Sequence, residues 1–136
     1  MYPEELVAPM RQELVNAGFT ELKSPEEVDA ILGKKEGTTL VLVNSVCGCA
    51  AANARPAVIA STQHSKTPDN FVTVFAGQDG EATKQARGYM MPFPPSSPSI
   101  ALFKNGELVH FLERHHIEGR NAKMIADNLT DAFNEL

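Results

Sequence analysis

The sequence predicts an α/β fold, a central mixed β-sheet flanked by helices on both faces. Two observations carry that expectation. Continuous β-prone runs at Thr38–Val43 and Phe71–Phe75 alternate with segments of helical spacing, the pattern that places strands side by side in parallel. Farther on, Ser99–Phe103 and Glu107–Leu112 flank Lys104-Asn105-Gly106, and an Asn-Gly turn between two such runs makes an antiparallel hairpin. The order is a helix, then β-α-β-α-β-α-β-β-α. With 136 residues, no internal repeat and no long linker, residues 1–136 are expected to form one domain that buries a core without staples.

The elements follow from local chemistry. Residues 3–18 place Leu6, Met10, Leu14 and Ala17 on one helical stripe, with Pro9 either kinking the helix or splitting off its first turn, and Gly18 ending it. Phe19–Leu22 is short enough for an edge strand. Ser24-Pro25-Glu26-Glu27 reads as a helix start, with Ser24 as N-cap, Pro25 at the first helical position and Glu27 closing a capping box; Val28, Ile31 and Leu32 form its buried face. After the polar turn 33–37, Thr38–Val43 has the unbroken apolar character of a strand buried on both faces. Ala50–His64 has helical composition interrupted by Pro56, which predicts one kinked helix. Asp79–Met90 is a helix candidate with Asp79 as cap, whereas Pro92–Pro98, with four prolines, is neither helix nor central strand. Ala122, Ile125, Ala126, Leu129, Ala132, Phe133 and Leu136 then follow the three-and-four spacing of a long closing helix.

Composition excludes several function classes. Seventeen acidic against twelve basic residues give a net charge of −5, and no basic stripe exists to neutralise phosphates, so no nucleic-acid partner is expected. No apolar run approaches the roughly 20 residues that span a bilayer, and Met1-Tyr2-Pro3-Glu4-Glu5 is acidic where a signal peptide is basic. The expectation is a cytoplasmic protein without a membrane partner.

Both cysteines lie in Asn44-Ser45-Val46-Cys47-Gly48-Cys49, where the central strand gives way to a helix. Open α/β sheets put their chemistry at such strand ends. A helix N-terminus stabilises the thiolate that attacks in thiol–disulfide exchange. A bridge across one residue closes no useful loop, so the pair reads as reactive or metal-binding rather than structural. A disulfide at this spacing sits at the short end of disulfide geometry, and Gly48 supplies the backbone freedom it needs; strain of that kind favours shuffling over stable reduction.

With the pair after the second strand, Pro56 in the helix behind it and Ser97-Pro98 just before the hairpin, the chain resembles thioredoxin-like oxidoreductases with an extra N-terminal helix. The resemblance implies a cis Pro98, preceded by Ser97, facing the redox pair and orienting the incoming disulfide; a cis X-Pro bond costs only ~0.5–1 kcal/mol. The Cys-Gly-Cys spacing departs from the thioredoxin Cys-x-x-Cys. Together with Val43-Asn44-Ser45 before it, an Ala-rich segment and Arg55-Pro56 after it, and the run from Pro94 to Phe103, it is similar to the bacilliredoxin family. Leu6–Leu14 and Gly18–Leu22 are similar to that family too, so the resemblance runs nearly end to end. It implies a nucleophilic Cys47, a resolving Cys49 with Gly48 as spacer, and removal of bacillithiol from S-thiolated client proteins. It also implies disulfide isomerase activity in some members, with bacillithiol as thiol co-substrate and no tightly bound cofactor.

The rival reading is a thiol-based metal-binding or redox-sensing module, in which Cys47 and Cys49 join His64 or the pair His115-His116 around an ion. The histidines lack ligand-like spacing to the cysteines, so no metal site is assigned. Arg55 either steadies a thiolate or forms a surface salt bridge. Met90-Met91 fills core or lines a client groove. His110 is expected on a partly exposed strand and His115-His116 in a solvated turn before the last helix.

Overall fold

The computed structural model describes residues 1–136. Along the chain run α1 (Glu4–Asn16), β1 (Thr20–Glu21), α2 (Pro25–Leu32), β2 (Thr38–Asn44), a π-helical turn (Ala50–Ala54) leading into α3 (Arg55–Ser61), β3 (Asn70–Phe75), α4 (Gly80–Gly88), the hairpin β4 (Ser99–Lys104) and β5 (Glu107–Leu112), a short α5 (Arg114–Ile117), and α6 (Ala122–Asn134). The sheet order is β1-β3-β2-β4-β5. β3 is parallel to both β1 and β2, whereas β4 is antiparallel to β2 and to β5, which makes the sheet mixed as the hairpin signal requires.

β2 is the centre of this sheet because its side chains are apolar on both faces. Leu40 and Leu42 pack with Ala57 and Val58 of α3 and Ile125, Leu129 and Phe133 of α6. Val41 and Val43 point the other way, to Val28 and Leu32 of α2 and Ala82 and Ala86 of α4. The period of two thus feeds two core layers from one strand. The hairpin turns where Asn105 (φ 53°) and Gly106 (φ 83°) both take left-handed backbone, the pair of angles an Asn-Gly turn supplies.

Several local expectations are corrected. α1 passes through Pro9 without a break, and its inward face carries Val7, Arg11 and Leu14, while Leu6 is 47% exposed. The face rotates because Arg11 is drawn inward by three carboxylates: its Nε donates to Glu4 (2.8 Å), Nη1 to Glu21 (3.1 Å), and Nη1 and Nη2 to Asp79 (2.7 and 3.0 Å). That engagement also takes the Asp79 side chain away from capping α4. At α2, Ser24 caps as expected, accepting from the Glu27 N–H at 3.2 Å, but the Glu27 carboxylate reaches one residue farther back, to the Lys23 N–H.

Pro56 leaves its mark one turn early. It lacks an N–H, and the backbone before it widens into the π turn, in which the Arg55 N–H donates to Ala50 five residues back. The helix behind the cysteines is therefore continuous and turns helical from Gly48. His115 and His116 lie in α5 rather than in an irregular turn, and His116 Nδ1 accepts from the Glu113 N–H at 3.0 Å. Met90 and Met91 part company: Met90 is buried in the α2/α4 layer and Met91 is 73% exposed. No helix is long and apolar enough to cross a membrane.

Candidate active site

β2 ends at Asn44, and the next three residues swing the chain from the sheet edge into the helix. The turn is held from below. Asn44 Oδ1 accepts from the Ser45 N–H (2.9 Å) and from Arg55 Nη1 (3.0 Å), and the same Arg55 nitrogen donates to the Ser45 carbonyl (3.1 Å). Arg55 is 3% exposed and its Nε meets Glu13 of α1 at 2.9 Å. It is thus neither a direct thiolate partner nor a surface salt bridge. It is a buried brace that ties α1, the end of β2 and the helix to one another beneath the cysteines.

Above this brace, Cys47 Sγ lies 3.1 Å from Ser45 Oγ and 3.4 Å from Cys49 Sγ, with both cysteines as free thiols. The Cys47 carbonyl accepts from the Ala50 and Ala51 N–H groups, which starts the helix at the nucleophile's own residue. Burial alone pushes the Cys47 thiol up, but hydrogen bonds from Ser45 Oγ, the Ala50 N–H, the Cys49 thiol and the Cys49 N–H outweigh it. The Cys47 thiol therefore ionises below the ordinary value. Cys49 moves the opposite way, raised first by burial and then by hydrogen bonding to Cys47 and by the Cys47 charge; Arg114 opposes this and Glu118 adds to it. Both cysteines are half-buried, so exposure does not separate them. What separates them is the number of donors aimed at each sulfur.

Gly48 sits in ordinary helical backbone, and a Cβ there would meet nothing within 4 Å. In the dithiol form neither space nor backbone requires glycine. Its exposed position leaves the approach to both sulfurs open.

The far wall is the loop before β4. The Ser97–Pro98 peptide is cis, and so is Met91–Pro92 at the other end of the same proline-rich segment. Arg114 Nη1 donates to the Ser97 carbonyl (3.2 Å) and its N–H to Ser96 Oγ (3.3 Å), while Arg87 Nη2 donates to the Ser96 carbonyl (3.3 Å). Cys47, Ser45, Ser97, Arg87 and Arg114 share a cleft of about 300 Å³. Tyr2 and Gly77 close its side, where Gly77 (φ +81°) brings its backbone close under the Tyr2 ring.

The ligand set required for a Cys–His metal site is not assembled. The cluster of potential ligand atoms lying within 4.8 Å of one another is Glu113, His115 and His116, and it contains neither cysteine. His64 is engaged instead with Asn134 at 2.8 Å.

Sequence reasoning placed Cys47, Cys49, Gly48, Ser97 and Pro98 around one site, and missed Ser45, Arg87 and Arg114. Ser45 was legible in principle, since a hydroxyl two residues before a cysteine in a tight turn reaches its sulfur. The two arginines come from α4 and α5, and no local pattern announces them. Loss of the Ser45 hydroxyl removes a donor to the thiolate, and hydrogen bonds to charged groups contribute roughly 1.5–3 kcal/mol, or about one pH unit or more of pKa. In Ser45→Ala the rate of Cys47 alkylation by iodoacetamide is therefore expected to show its midpoint at higher pH by about one unit. An unmoved midpoint would remove Ser45 from the site.

A family model described as disulphide isomerase matches residues 2–136. A bacilliredoxin of Cytophaga hutchinsonii is 62% identical over 136 residues, covering 100% of both chains. One from Halalkalibacterium halodurans is 55% identical over 134 residues, covering 98% of this chain and 93% of the relative. Among solved structures, the oxidised thioredoxin of Plasmodium falciparum superposes with a TM-score of 0.60 at 19% identity, over 85% of this chain and 99% of that one. Fasciola hepatica thioredoxin gives 0.59 at 16% identity, over 86% and 98%. At such identities the structural likeness is one of fold.

Proposed function

This chain belongs to the bacilliredoxin family and is a thiol–disulfide oxidoreductase of thioredoxin fold; we propose that it frees cytoplasmic client proteins from mixed disulfides with the small thiol bacillithiol. The observation that carries this reading is the division of labour between the sulfurs. Cys47 collects the donors and gives up its proton the more readily, and Cys49, 3.4 Å away, holds its proton the more tightly.

In the first step the Cys47 thiolate attacks the bacillithiol sulfur of the client's mixed disulfide. A bond forms between Cys47 and that sulfur, the old S–S bond breaks, and the electron pair leaves with the client cysteine as thiolate. The negative charge on Cys47 is thereby consumed. With it goes part of what kept Cys49 protonated, so the second thiol becomes easier to ionise once it is needed. Cys49 then attacks Cys47 Sγ, closing from 3.4 Å to the ~2.0 Å of an S–S bond and expelling bacillithiol as thiolate. A second small thiol attacking the same adduct from outside instead regenerates the Cys47 thiolate and yields the small-molecule disulfide. Ser97 and Pro98 form the wall against which the incoming disulfide is oriented. The same attack on a disulfide within a client reshuffles it, and isomerase activity is the second use we infer for the pair. Bacillithiol enters as co-substrate, and the cycle uses no resident cofactor.

Cys49→Ser separates the steps. Intact mass of this variant, mixed with a bacillithiolated client, is expected to show one bacillithiol on Cys47 and a freed client thiol. A client that stays thiolated, with an unmodified variant, would sink the proposal.

A further inference from the structure

We propose that Arg87 and Arg114 form a carboxylate-binding subsite beside Cys47, so that the small thiol exchanged here is selected for carrying carboxylate groups. The inference rests on the exchange reading above and adds the determinant of its substrate.

The cleft that holds Cys47 is lined by two guanidinium groups and no acidic side chain, in a chain whose net charge is −5. Cations are thus concentrated where the nucleophile is, against the overall balance. Arg87 is half-buried, engages only the Ser96 carbonyl, and leaves its Nε buried with no partner. No carboxylate compensates its charge, and burial accordingly disfavours its protonated form. A desolvated guanidinium without a counterion is costly, and an anionic ligand offsets that cost. Arg114 spends Nε on Glu118 and Nη1 on Ser97, leaving Nη2 free. It lines the same cleft as Cys47, which places it within reach of a group attached to the attacked sulfur.

Guanidinium donors of this kind match carboxylates, and Arg114 offers its free Nη2. Both arginines also hold the carbonyls that precede Pro98, so the subsite is part of the wall that faces the disulfide. At about 300 Å³ the cleft accommodates a small thiol rather than a folded segment of a client. A thiol bearing carboxylates would be bound there with its sulfur toward Cys47, in line with the bond to the client cysteine that breaks.

The test compares two small symmetrical disulfides, dithiodipropionate with two carboxylates and hydroxyethyl disulfide with none. The rate of reaction at Cys47 of the reduced protein is followed by intact mass, as the adduct together with the Cys47–Cys49 disulfide into which Cys49 resolves it. The anionic-to-neutral rate ratio is expected to fall about ten-fold in Arg87→Gln and in Arg114→Gln, to recover in part in Arg87→Lys, and to fall in the wild type as salt rises to about 1 M. The salt series needs no substitution and stands even if Arg87→Gln does not fold. Equal slowing of both disulfides, with the ratio unchanged in variants and in salt, would show that the arginines only brace the Ser96–Ser97 loop and would overturn the subsite. If the wild type forms neither an adduct nor the Cys47–Cys49 disulfide with either compound, the exchange reading itself fails, and the subsite falls with it.

Discussion

Cys47→Ser is expected to lower the release of bacillithiol from a thiolated client to the uncatalysed background, a loss on the order of 10³-fold or more. A hydroxyl in that position neither ionises near neutral pH nor forms a bond that thiol exchange can reverse. The substitution leaves the frame intact. The helix start depends on the Cys47 carbonyl, which accepts from Ala50 and Ala51 regardless of the side chain. The brace beneath the turn runs through Asn44, Ser45 and Arg55 and does not involve the sulfur. Loss of activity should therefore come with an unchanged melting temperature, and the two measurements belong together. Cys49 is not a substitute nucleophile, because burial still acts to keep its proton on after the Cys47 charge is gone, and the Ser45 hydroxyl meets the side chain at position 47 rather than Cys49. A Cys47→Ser protein that retains activity within ten-fold and carries the adduct on Cys49 would reverse the two roles.

How far the sequence reached can be judged from particular residues. The sheet was legible because its evidence is local: the unbroken apolar run at Thr38–Val43 and the Asn105-Gly106 turn each specify geometry within a few residues. The cysteine pair was legible for the same reason, lying on six consecutive residues at a strand-to-helix junction. The errors at Arg11, Asp79 and Arg55 share one cause, a charged side chain whose partner is distant in sequence. Arg11 turned the face of α1 inward and removed Asp79 from capping because α1, β1 and the start of α4 meet around it. Arg55 defied both of the alternatives offered for it, since a buried cation is affordable only where Glu13, Asn44 and Ser45 converge, and that convergence is a property of the fold. Arg87 and Arg114 were invisible on the same grounds. Apolar periodicity encodes layers, whereas the electrostatics of a site is set by which helix ends the layers bring together.

Arg55 yields a large stability effect outside the apolar core. Arg55→Met keeps the stem's packing and deletes the charged donor to two buried acceptors, Asn44 Oδ1 and the Ser45 carbonyl. Each charge-assisted bond is worth roughly 1.5–3 kcal/mol, and Asn44 Oδ1 keeps the Ser45 N–H, so a net cost of about 2–4 kcal/mol is expected. Glu13 adds little, because its side chain is 39% exposed and rehydrates when the partner leaves. For a chain of this size that corresponds to a melting temperature lower by roughly 6–20 °C under reducing conditions, readable by circular dichroism. A shift below about 2 °C would show that the brace is not structural. The functional consequence follows from the same bonds. Arg55 fixes the Ser45 carbonyl, Ser45 is the residue whose hydroxyl meets Cys47 Sγ at 3.1 Å, and a loosened turn weakens that donor. At temperatures where Arg55→Met is still folded, the pH midpoint of Cys47 reactivity should therefore move upward, in the same direction as in Ser45→Ala. A destabilised protein with an unmoved midpoint would separate the two effects and confine Arg55 to the fold.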